Sequence, residues 1–187
     1  MTGSELKELI SADELSIATR RLAREIGEAH PGGVILIGVL KGSVWFLSDL
    51  IREMDVDCRV DFLAISPYKA GTGRVKILKD LDLDISGEDV VLVEDIVDTG
   101  LTLVYLLGEL TRREPRSLEV CTLLDRKQSR IVPVNVTFTG FEAPGEYLLG
   151  YGLDHGERYR NLSQVFLAKP SQIDSDPQRF AEQVFFR

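Results

Sequence analysis

The stretch VVLVEDIVDTGLTL, from Val90 to Leu103, decides the fold that the sequence predicts. It begins with a short, almost wholly apolar run, which is typical of a strand covered on both faces. Three carboxylates follow within five residues, and Thr99, Gly100 and Thr102 come directly behind them. The residues after Gly100 have a helical composition, so the stretch predicts a strand, a turn and a helix in immediate succession.

The same alternation continues on both sides of this stretch. Strands that alternate with helices favour an α/β fold, with a mostly parallel central sheet flanked by helices on both faces. Ligands of such folds bind beyond the carboxyl ends of the strands, where the three acids lie. The predicted helices are 11–29, 42–54 and 101–113, with an amphipathic tail at 176–187, and the predicted strands are 34–40, 58–65, 75–82, 89–96, 117–125, 134–141, 146–154 and 163–169.

Length and composition favour one globular domain. The chain has 187 residues and a net charge of −8, which disfavours a nucleic-acid partner because such surfaces carry clustered Lys and Arg. No apolar run approaches the ~20 residues that span a bilayer, and the acidic N-terminus does not resemble a secretory signal. We therefore expect no membrane partner and a cytoplasmic location, with Cys58 and Cys121 as reduced core thiols.

The acids of the central stretch allow two interpretations. The first is an ordinary solvated helix start, because Asp and Thr commonly begin helices. It accounts for Asp98 and Thr99, but not for Glu94 and Asp95, which adjoin the buried strand. The second is a ligand site, since carboxylates accept hydrogen bonds from the cis hydroxyls of a ribose. The N–H groups of DTGLT at a helix start would then hold a phosphate without a lysine.

The central stretch is similar to the phosphoribosyl pyrophosphate (PRPP) motif of type I phosphoribosyltransferases, in the form typical of hypoxanthine-guanine phosphoribosyltransferases. GVLKGS (38–43) resembles that family's pyrophosphate loop, VKILKDLD (75–82) its strand after a flexible loop, and LLGYGLDHGERYRNL (148–162) its purine-binding hood. The resemblance implies a single phosphoribosyltransferase domain over 1–187, with a small hood formed mainly by about 140–170 and the N-terminus.

The resemblance also implies a purine salvage enzyme. In this reaction N9 of hypoxanthine or guanine displaces pyrophosphate from C1 of PRPP and gives IMP or GMP. Asp98 matches the residue that the family assigns to N7 of the purine, and it is the predicted catalytic residue. Glu94 and Asp95 match the ribose pair. The turn that matches the 5′-phosphate site consists of Asp98, Thr99, Gly100, Leu101 and Thr102.

Pyrophosphate is assigned to a second loop by the same resemblance. Its residues are Leu40, Lys41, Gly42 and Ser43, with a non-proline cis peptide expected at Leu40–Lys41, and Arg160 is a second contact. An acidic protein needs a cation for the departing pyrophosphate, so we expect Mg²⁺ near Glu94, Asp95 and Asp154. The loop 66–74 is the predicted lid, with Ser66 and Tyr68 as contacts, although Pro67 separates two residues that the family usually places together.

Purine recognition is implied for the hood. Tyr147 matches the aromatic residue that stacks on the purine, Leu148 matches a residue whose backbone reads the ring edge, and Asp154 lies close to both the metal and the base. The 6-oxo group needs a donor, which the family usually supplies as Lys after LLD. Here Arg126 stands in that position and Lys127 follows it. An arginine fork is not interchangeable with an ammonium group, so the donor and the base preference stay open.

Two alternatives remain beside the hypoxanthine-guanine enzyme: a xanthine-preferring phosphoribosyltransferase, and a non-catalytic RNA-binding regulator of the same fold. The resemblance also implies a homodimer or homotetramer. His30 and His155 stand alone, without a second His at metal-ligand spacing, and are predicted to be ordinary surface residues.

Overall fold

The computed structural model describes residues 6–66, 76–176 and 180. The strands in this part of the chain are β1 (Lys7–Ile10), β2 (Val34–Leu40), β3 (Cys58–Ile65), β4 (Ile77–Lys79), β5 (Asp89–Val97), β6 (Ser117–Asp125), β7 (Phe138–Glu142), β8 (Tyr147–Leu149) and β9 (Val165–Ala168). The α-helices are α1 (Ala12–Ala29), α2 (Ser43–Arg52), α3 (Leu101–Thr111) and α4 (Pro170–Ser175), and a 3₁₀ turn spans Lys127–Ser129.

Six strands form the central sheet, in the order β4-β3-β2-β5-β6-β7. All neighbours are parallel except β4, which runs antiparallel to β3. The chain adds β3 on one side of β2 and β5 on the other, so the strand order reverses between β2 and β5. Such a switch point leaves a crevice at the carboxyl ends of the two strands. The predicted α/β fold is confirmed, and both loops assigned to PRPP begin at this crevice.

Helices cover both faces of the sheet, as predicted. Apolar residues of α1 and α2 pack in one buried cluster, and those of α3 pack in another across the sheet. The helix α1 begins with a capping box, in which the Ser11 hydroxyl accepts from the Glu14 N–H and the Glu14 carboxylate accepts from the Ser11 N–H. The strands β2 and β5 lie between the two clusters, which explains their almost continuous apolar composition.

A second, antiparallel sheet has the order β1-β9-β8, and we call it the hood sheet. One face packs on its own apolar cluster, which includes Leu149, Phe166, Ile173 and Phe180. Its strands come from the N-terminus and from residues 147–168, which agrees with the hood expected from the resemblance. The division of the chain into one domain over 1–187 stays a prediction.

Several element boundaries differ from those predicted. The strand expected over 134–141 begins only at Phe138, that over 146–154 ends at Leu149, and that over 75–82 spans only Ile77–Lys79. The sequence patterns missed β1, whose four residues form an edge of the hood sheet, and α4. The predicted tail helix 176–187 lies largely outside the described residues.

The last two features of the fold are the state of the cysteines and the apolarity of the helices. Cys58 and Cys121 are free thiols, half-buried and buried respectively, so the predicted lack of a disulfide is confirmed for them. Within the described residues, the structure contains no helix with the length and apolarity that crossing a membrane requires.

Candidate active site

A cavity of about 230 Å³ opens at the switch point. It is bounded by the end of β2, the end of β5 and the turn before α3. Residues of the predicted ribose and 5′-phosphate sites line it, namely Glu94, Asp98, Thr99, Gly100 and Thr102. The structure therefore brings together groups that the sequence places in one short stretch.

The turn before α3 presents backbone N–H groups rather than basic side chains. Gly100 is the N-cap with a φ of 84°, and α3 begins at Leu101. Gly100 has no side chain to cap this helix start, and the Leu101 N–H makes only a long hydrogen bond of 3.5 Å to the Thr99 hydroxyl, so the first N–H groups keep capacity to bind an anion. The Thr99 and Thr102 side chains also line the cavity, so hydroxyl groups add to the backbone N–H groups of this turn.

Glu94 and Asp95 do not point the same way. Adjacent residues of a strand face opposite sides, and Glu94 lines the cavity whereas Asp95 packs against Gly42. Burial raises the pKa of Glu94 well above its usual value, and the charge of Asp95 raises it further. Burial also raises the pKa of Asp95, to about 6, although the hydrogen bond that its carboxylate accepts from the Ile96 N–H opposes this shift. The surrounding protein groups alone therefore stabilise the charged forms of these two carboxyl groups poorly.

The predicted pyrophosphate loop lies next to Asp95. The peptide bond Leu40–Lys41 is cis, as expected from the resemblance. A Cβ built on Gly42 would lie 1.6 Å from Asp95 Oδ2, and one on Gly152 would lie 2.0 Å from the Gly42 carbonyl oxygen. Both positions therefore exclude a side chain. The Ser43 hydroxyl is buried and donates to the Val39 carbonyl at 2.7 Å, so the predicted Ser43 contact is limited to its backbone.

A chain of ion pairs connects this loop with residues 154–160, in the segment between β8 and β9. Lys41 pairs with Glu157 at 3.2 Å, and Glu157 in turn pairs with Arg160 at 3.2 Å. Arg160 also binds the Asp154 carboxylate at 2.8 Å and donates to the Gly152 carbonyl at 2.7 Å. The Nε atom of Arg160 is buried, and no described residue accepts its hydrogen. Lys41 and Arg160, predicted for pyrophosphate, and Asp154, predicted for the metal, are thus joined in one charged network.

Asp98 is held by arginines from the neighbouring strand end. Arg126 follows β6, and its guanidinium lies 3.3 Å from the Asp98 carboxylate. It also donates to the carbonyl of Glu146, and its Nε is buried without an acceptor among the described residues. Arg130 donates to the Asp98 carbonyl. The Asp98 carboxylate itself is half-exposed and so remains open to a ligand.

The predicted purine residues lie next to Arg126. Tyr147 is half-buried on β8, and its hydroxyl donates to the Asp154 carbonyl at 2.8 Å. The Leu148 side chain is buried, and its backbone pairs with β9. Lys127 is exposed in the 3₁₀ turn and lines a different cavity, together with Asp125 and Arg130. Of the two basic candidates for the 6-oxo group, the structure places only Arg126 beside Asp98 and the hood strand.

The lid is described only at its base. Ser66 follows β3, and it exchanges two hydrogen bonds with Lys76: its N–H donates to the Lys76 carbonyl at 2.8 Å, and its hydroxyl accepts from the Lys76 N–H at 3.0 Å. These bonds close the neck of the loop. Tyr68 and the rest of the predicted lid lie outside the described residues.

The predicted surface position of His30 is wrong, whereas His155 is partly exposed and lies beside Asp154, near the site. His30 is 6% exposed, and its Nε2 lies 2.8 Å from Glu119 Oε2, with Asp89 at 3.8 Å from Nδ1. His155 is half-buried between Tyr147 and Asp174. The carboxylate and phenol partners come from distant parts of the chain, so only the fold reveals them. Glu157 and Arg130 were missed for the same reason.

A parallel sheet with a helix start and two acids at its switch point is typical of α/β proteins that bind phosphorylated ligands, and comparison with known proteins identifies the family. Residues 6–154 match the phosphoribosyl transferase domain, and the chain belongs to this family. A hypoxanthine-guanine phosphoribosyltransferase from Mycobacterium avium is 44% identical over 172 residues, which cover 87% of this chain and 85% of that protein. The Bacillus subtilis (strain 168) protein of the same name is 40% identical over 173 residues, with 90% and 96% covered.

The solved structures agree with these sequence relatives. A crystal structure of a hypoxanthine-guanine phosphoribosyltransferase from Bacillus anthracis matches with a TM-score of 0.85 at 40% identity. The match covers 88% of this chain and 100% of that one. The resemblance noted in the sequence, and the type I phosphoribosyltransferase fold that it implies, are therefore confirmed.

Proposed function

We propose that the protein transfers the 5-phosphoribosyl group from PRPP to N9 of a 6-oxopurine, hypoxanthine or guanine, and forms IMP or GMP and pyrophosphate. The observation that carries this proposal is the meeting of three features at one switch point: the turn before α3, the buried acids of β5 and the loop after β2. The relatives named hypoxanthine-guanine phosphoribosyltransferase support the same reaction.

PRPP would occupy the crevice from end to end. The N–H groups of the turn 98–102 would hold the 5′-phosphate at the positive end of α3. Glu94 and Asp95 would bind the ribose hydroxyls. The pyrophosphate would lie at Lys41 and Gly42, where the buried Nε of Arg160 is a donor that no described residue uses.

The purine would lie between the hood and Asp98. Tyr147 would stack on the ring, the Leu148 backbone would read its edge, and Arg126 would donate to the 6-oxo group. We favour Arg126 over Lys127 because its guanidinium already lies beside Asp98, and its Nε is a buried donor without an acceptor among the described residues. Asp98 would hold the N7 proton of the purine while N9 attacks C1, as a general acid–base group.

The acids at this site fit a Mg²⁺ ion that is shared with the substrate. Within the described residues, no three His, Cys, Asp or Glu side chains enclose a metal site by themselves. Mg²⁺ is usually bound by one or two carboxylates, substrate phosphates and waters. Asp95 and Asp154 would hold it, with Glu94 nearby, because loss of solvation raises the pKa of Asp95, the charge of Asp154 adds to this, and a cation would relieve both effects. When bound, Mg²⁺ supplies charge neutralisation for the departing pyrophosphate.

Xanthine is a second candidate substrate because of Arg126. Its planar fork presents several donors, and xanthine carries a carbonyl oxygen at C2 in addition to the one at C6. The RNA-binding alternative is disfavoured by the net charge of −8. We also propose that the loop 66–74, with Ser66 and Tyr68, acts as a lid, and that the protein is a cytoplasmic homodimer or homotetramer, as the resemblance implies.

Turnover with separate purines tests the proposed reaction. The protein is incubated with Mg²⁺, PRPP and hypoxanthine, guanine, xanthine or adenine, and nucleotide and pyrophosphate are measured. Hypoxanthine or guanine is expected to give equimolar nucleotide and pyrophosphate, and adenine is expected to react poorly because its 6-amino group offers hydrogens where Arg126 also donates. The absence of turnover with every purine would overturn the proposal, and fastest turnover with xanthine would select the alternative.

Thermal unfolding tests the burial of Asp95 without substrate or Mg²⁺. Asp95→Asn is expected to raise the melting temperature by about 5 °C at pH 7 but not at pH 4. The pKa of Asp95 is raised from 3.8 to about 6 in the folded protein, so the stability due to its neutral form is complete below about pH 4 and is lost as the pH rises through about 6. An amide has no such dependence. A difference between wild type and variant that does not change from pH 4 to 8 would contradict this prediction.

A further inference from the structure

The hydroxyl of Tyr147 is held from outside the crevice by a residue with no role in the reaction described above. His155 Nδ1 lies 3.1 Å from this hydroxyl, and His155 Nε2 lies 2.7 Å from Asp174 Oδ1. The two rings meet edge to face, with centroids 5.5 Å apart and planes at 82°. Tyr147, His155 and Asp174 thus form a line that runs from β8 through the following loop to α4.

The hydrogen bonds in this line have a defined direction. Asp174 is a carboxylate and can only accept, so His155 Nε2 donates to it. The one hydrogen of the Tyr147 hydroxyl goes to the Asp154 carbonyl at 2.8 Å, so its oxygen accepts from His155 Nδ1 at 3.1 Å.

The two contacts fix the far end of the Tyr147 side chain. A tyrosine ring turns about its first two side-chain torsions, and a hydroxyl held at two points restricts both. His155 is itself restrained, since its backbone pairs with Arg158 in a tight turn and its ring is only 21% exposed. Stacking on a planar base depends on the orientation of the tyrosine ring, which these contacts restrict.

We propose that His155, held by Asp174, is a positioning residue that orients the ring of Tyr147 for the purine. This inference rests on the proposed function and extends it to two residues beyond the PRPP and purine contacts. His155 acts through Tyr147 and touches neither substrate. His155 therefore affects the binding of the purine and not the binding of PRPP.

Steady-state kinetics of His155→Phe tests this role, because phenylalanine keeps a ring but removes both nitrogens. The KM for the purine is expected to rise about three- to tenfold, the range for one lost hydrogen bond, while kcat and the KM for PRPP stay within about twofold. His155→Asn places an amide where Nδ1 lies and is expected to recover part of the loss. In a Tyr147→Phe background, His155→Phe is expected to have no further effect on the purine KM.

Tyr151→Phe is the matched control. Tyr151 lies in the same loop, and its hydroxyl donates to Asp49 at 2.6 Å on another side of the hood, so its loss should leave the purine KM unchanged. An unchanged purine KM in His155→Phe, or an equal rise in the PRPP KM, would overturn the inference alone. Additive effects of the Tyr147 and His155 substitutions would also overturn it. A wild-type protein that turns over no purine would instead overturn the proposed function, and this inference with it.

Discussion

Asp98→Asn is expected to lower kcat about 10²- to 10⁴-fold, the usual range for loss of a general acid–base group. The KM for PRPP is expected to change less than about threefold, because asparagine keeps the shape of the side chain and the backbone of the turn holds the phosphate. The reason for this split is that, in the proposed reaction, the carboxylate acts on the purine proton, whereas its neighbours hold PRPP. Steady-state rates with hypoxanthine and with PRPP varied in turn measure both parameters.

The control for this variant is Asp80→Asn. Asp80 also pairs with an arginine, Arg113, but on the surface away from the crevice. Exposed ion pairs contribute little to stability, so Asp80→Asn should have wild-type kinetics. A kcat for Asp98→Asn within a few fold of wild type would remove Asp98 from the catalytic role, and an equal loss in both variants would point to a general effect of charge.

Gly42→Ala is expected to lower kcat/KM for PRPP by about 100-fold, the scale of a 1 Å misplacement in an active site. The added methyl group would lie 1.6 Å from Asp95 Oδ2, so the carboxylate or the loop must move. The backbone at Gly42 is not the obstacle, because its φ of −60° suits alanine. The loss therefore reports the contact between the pyrophosphate loop and the acid of β5, and it is measured with PRPP as the varied substrate.

Gly108→Ala provides the comparison. Gly108 lies within α3, and a Cβ at this position would meet nothing within 4 Å. Alanine in a helix is favoured over glycine by about 1 kcal/mol, so Gly108→Ala should be slightly stabilised with unchanged kinetics. Wild-type kinetics in Gly42→Ala would show that the pyrophosphate loop can yield without disturbing Asp95.

Local pattern was sufficient to predict the central sheet and the stretch from Glu94 to Thr102. The strands β2 and β5 are buried on both faces, and this leaves a continuous apolar run that is visible in the sequence. The boundaries at 134–137 and 150–154 were predicted poorly because irregular backbone follows Pro133, and because Gly150, Tyr151 and Gly152 take positive φ values. Neither feature alters the hydrophobic pattern on which the predictions depended.

Contacts between distant residues were beyond the reach of the sequence. His30 precedes a Pro-Gly turn, which suggested the surface, but Glu119 and Asp89 meet it from two neighbouring strands. The pairing of Arg126 with Asp98 depends in the same way on the parallel register that places the end of β6 beside the end of β5. The family resemblance predicted the roles of many site residues, whereas the residues that they contact are revealed only by the fold.

Gly152 lies so close to the Gly42 carbonyl that the two sides of the crevice cannot move independently of each other. One glycine belongs to the pyrophosphate loop and the other to the turn that leads to Asp154, and neither has room to shift toward the other. An adjustment on one side is therefore transmitted to the other. Since the linkage free energy between two ligands is the same in both directions, a nucleotide that tightens pyrophosphate binding must itself be retained more strongly when pyrophosphate is present. Each product would then be bound more strongly while the other is still present.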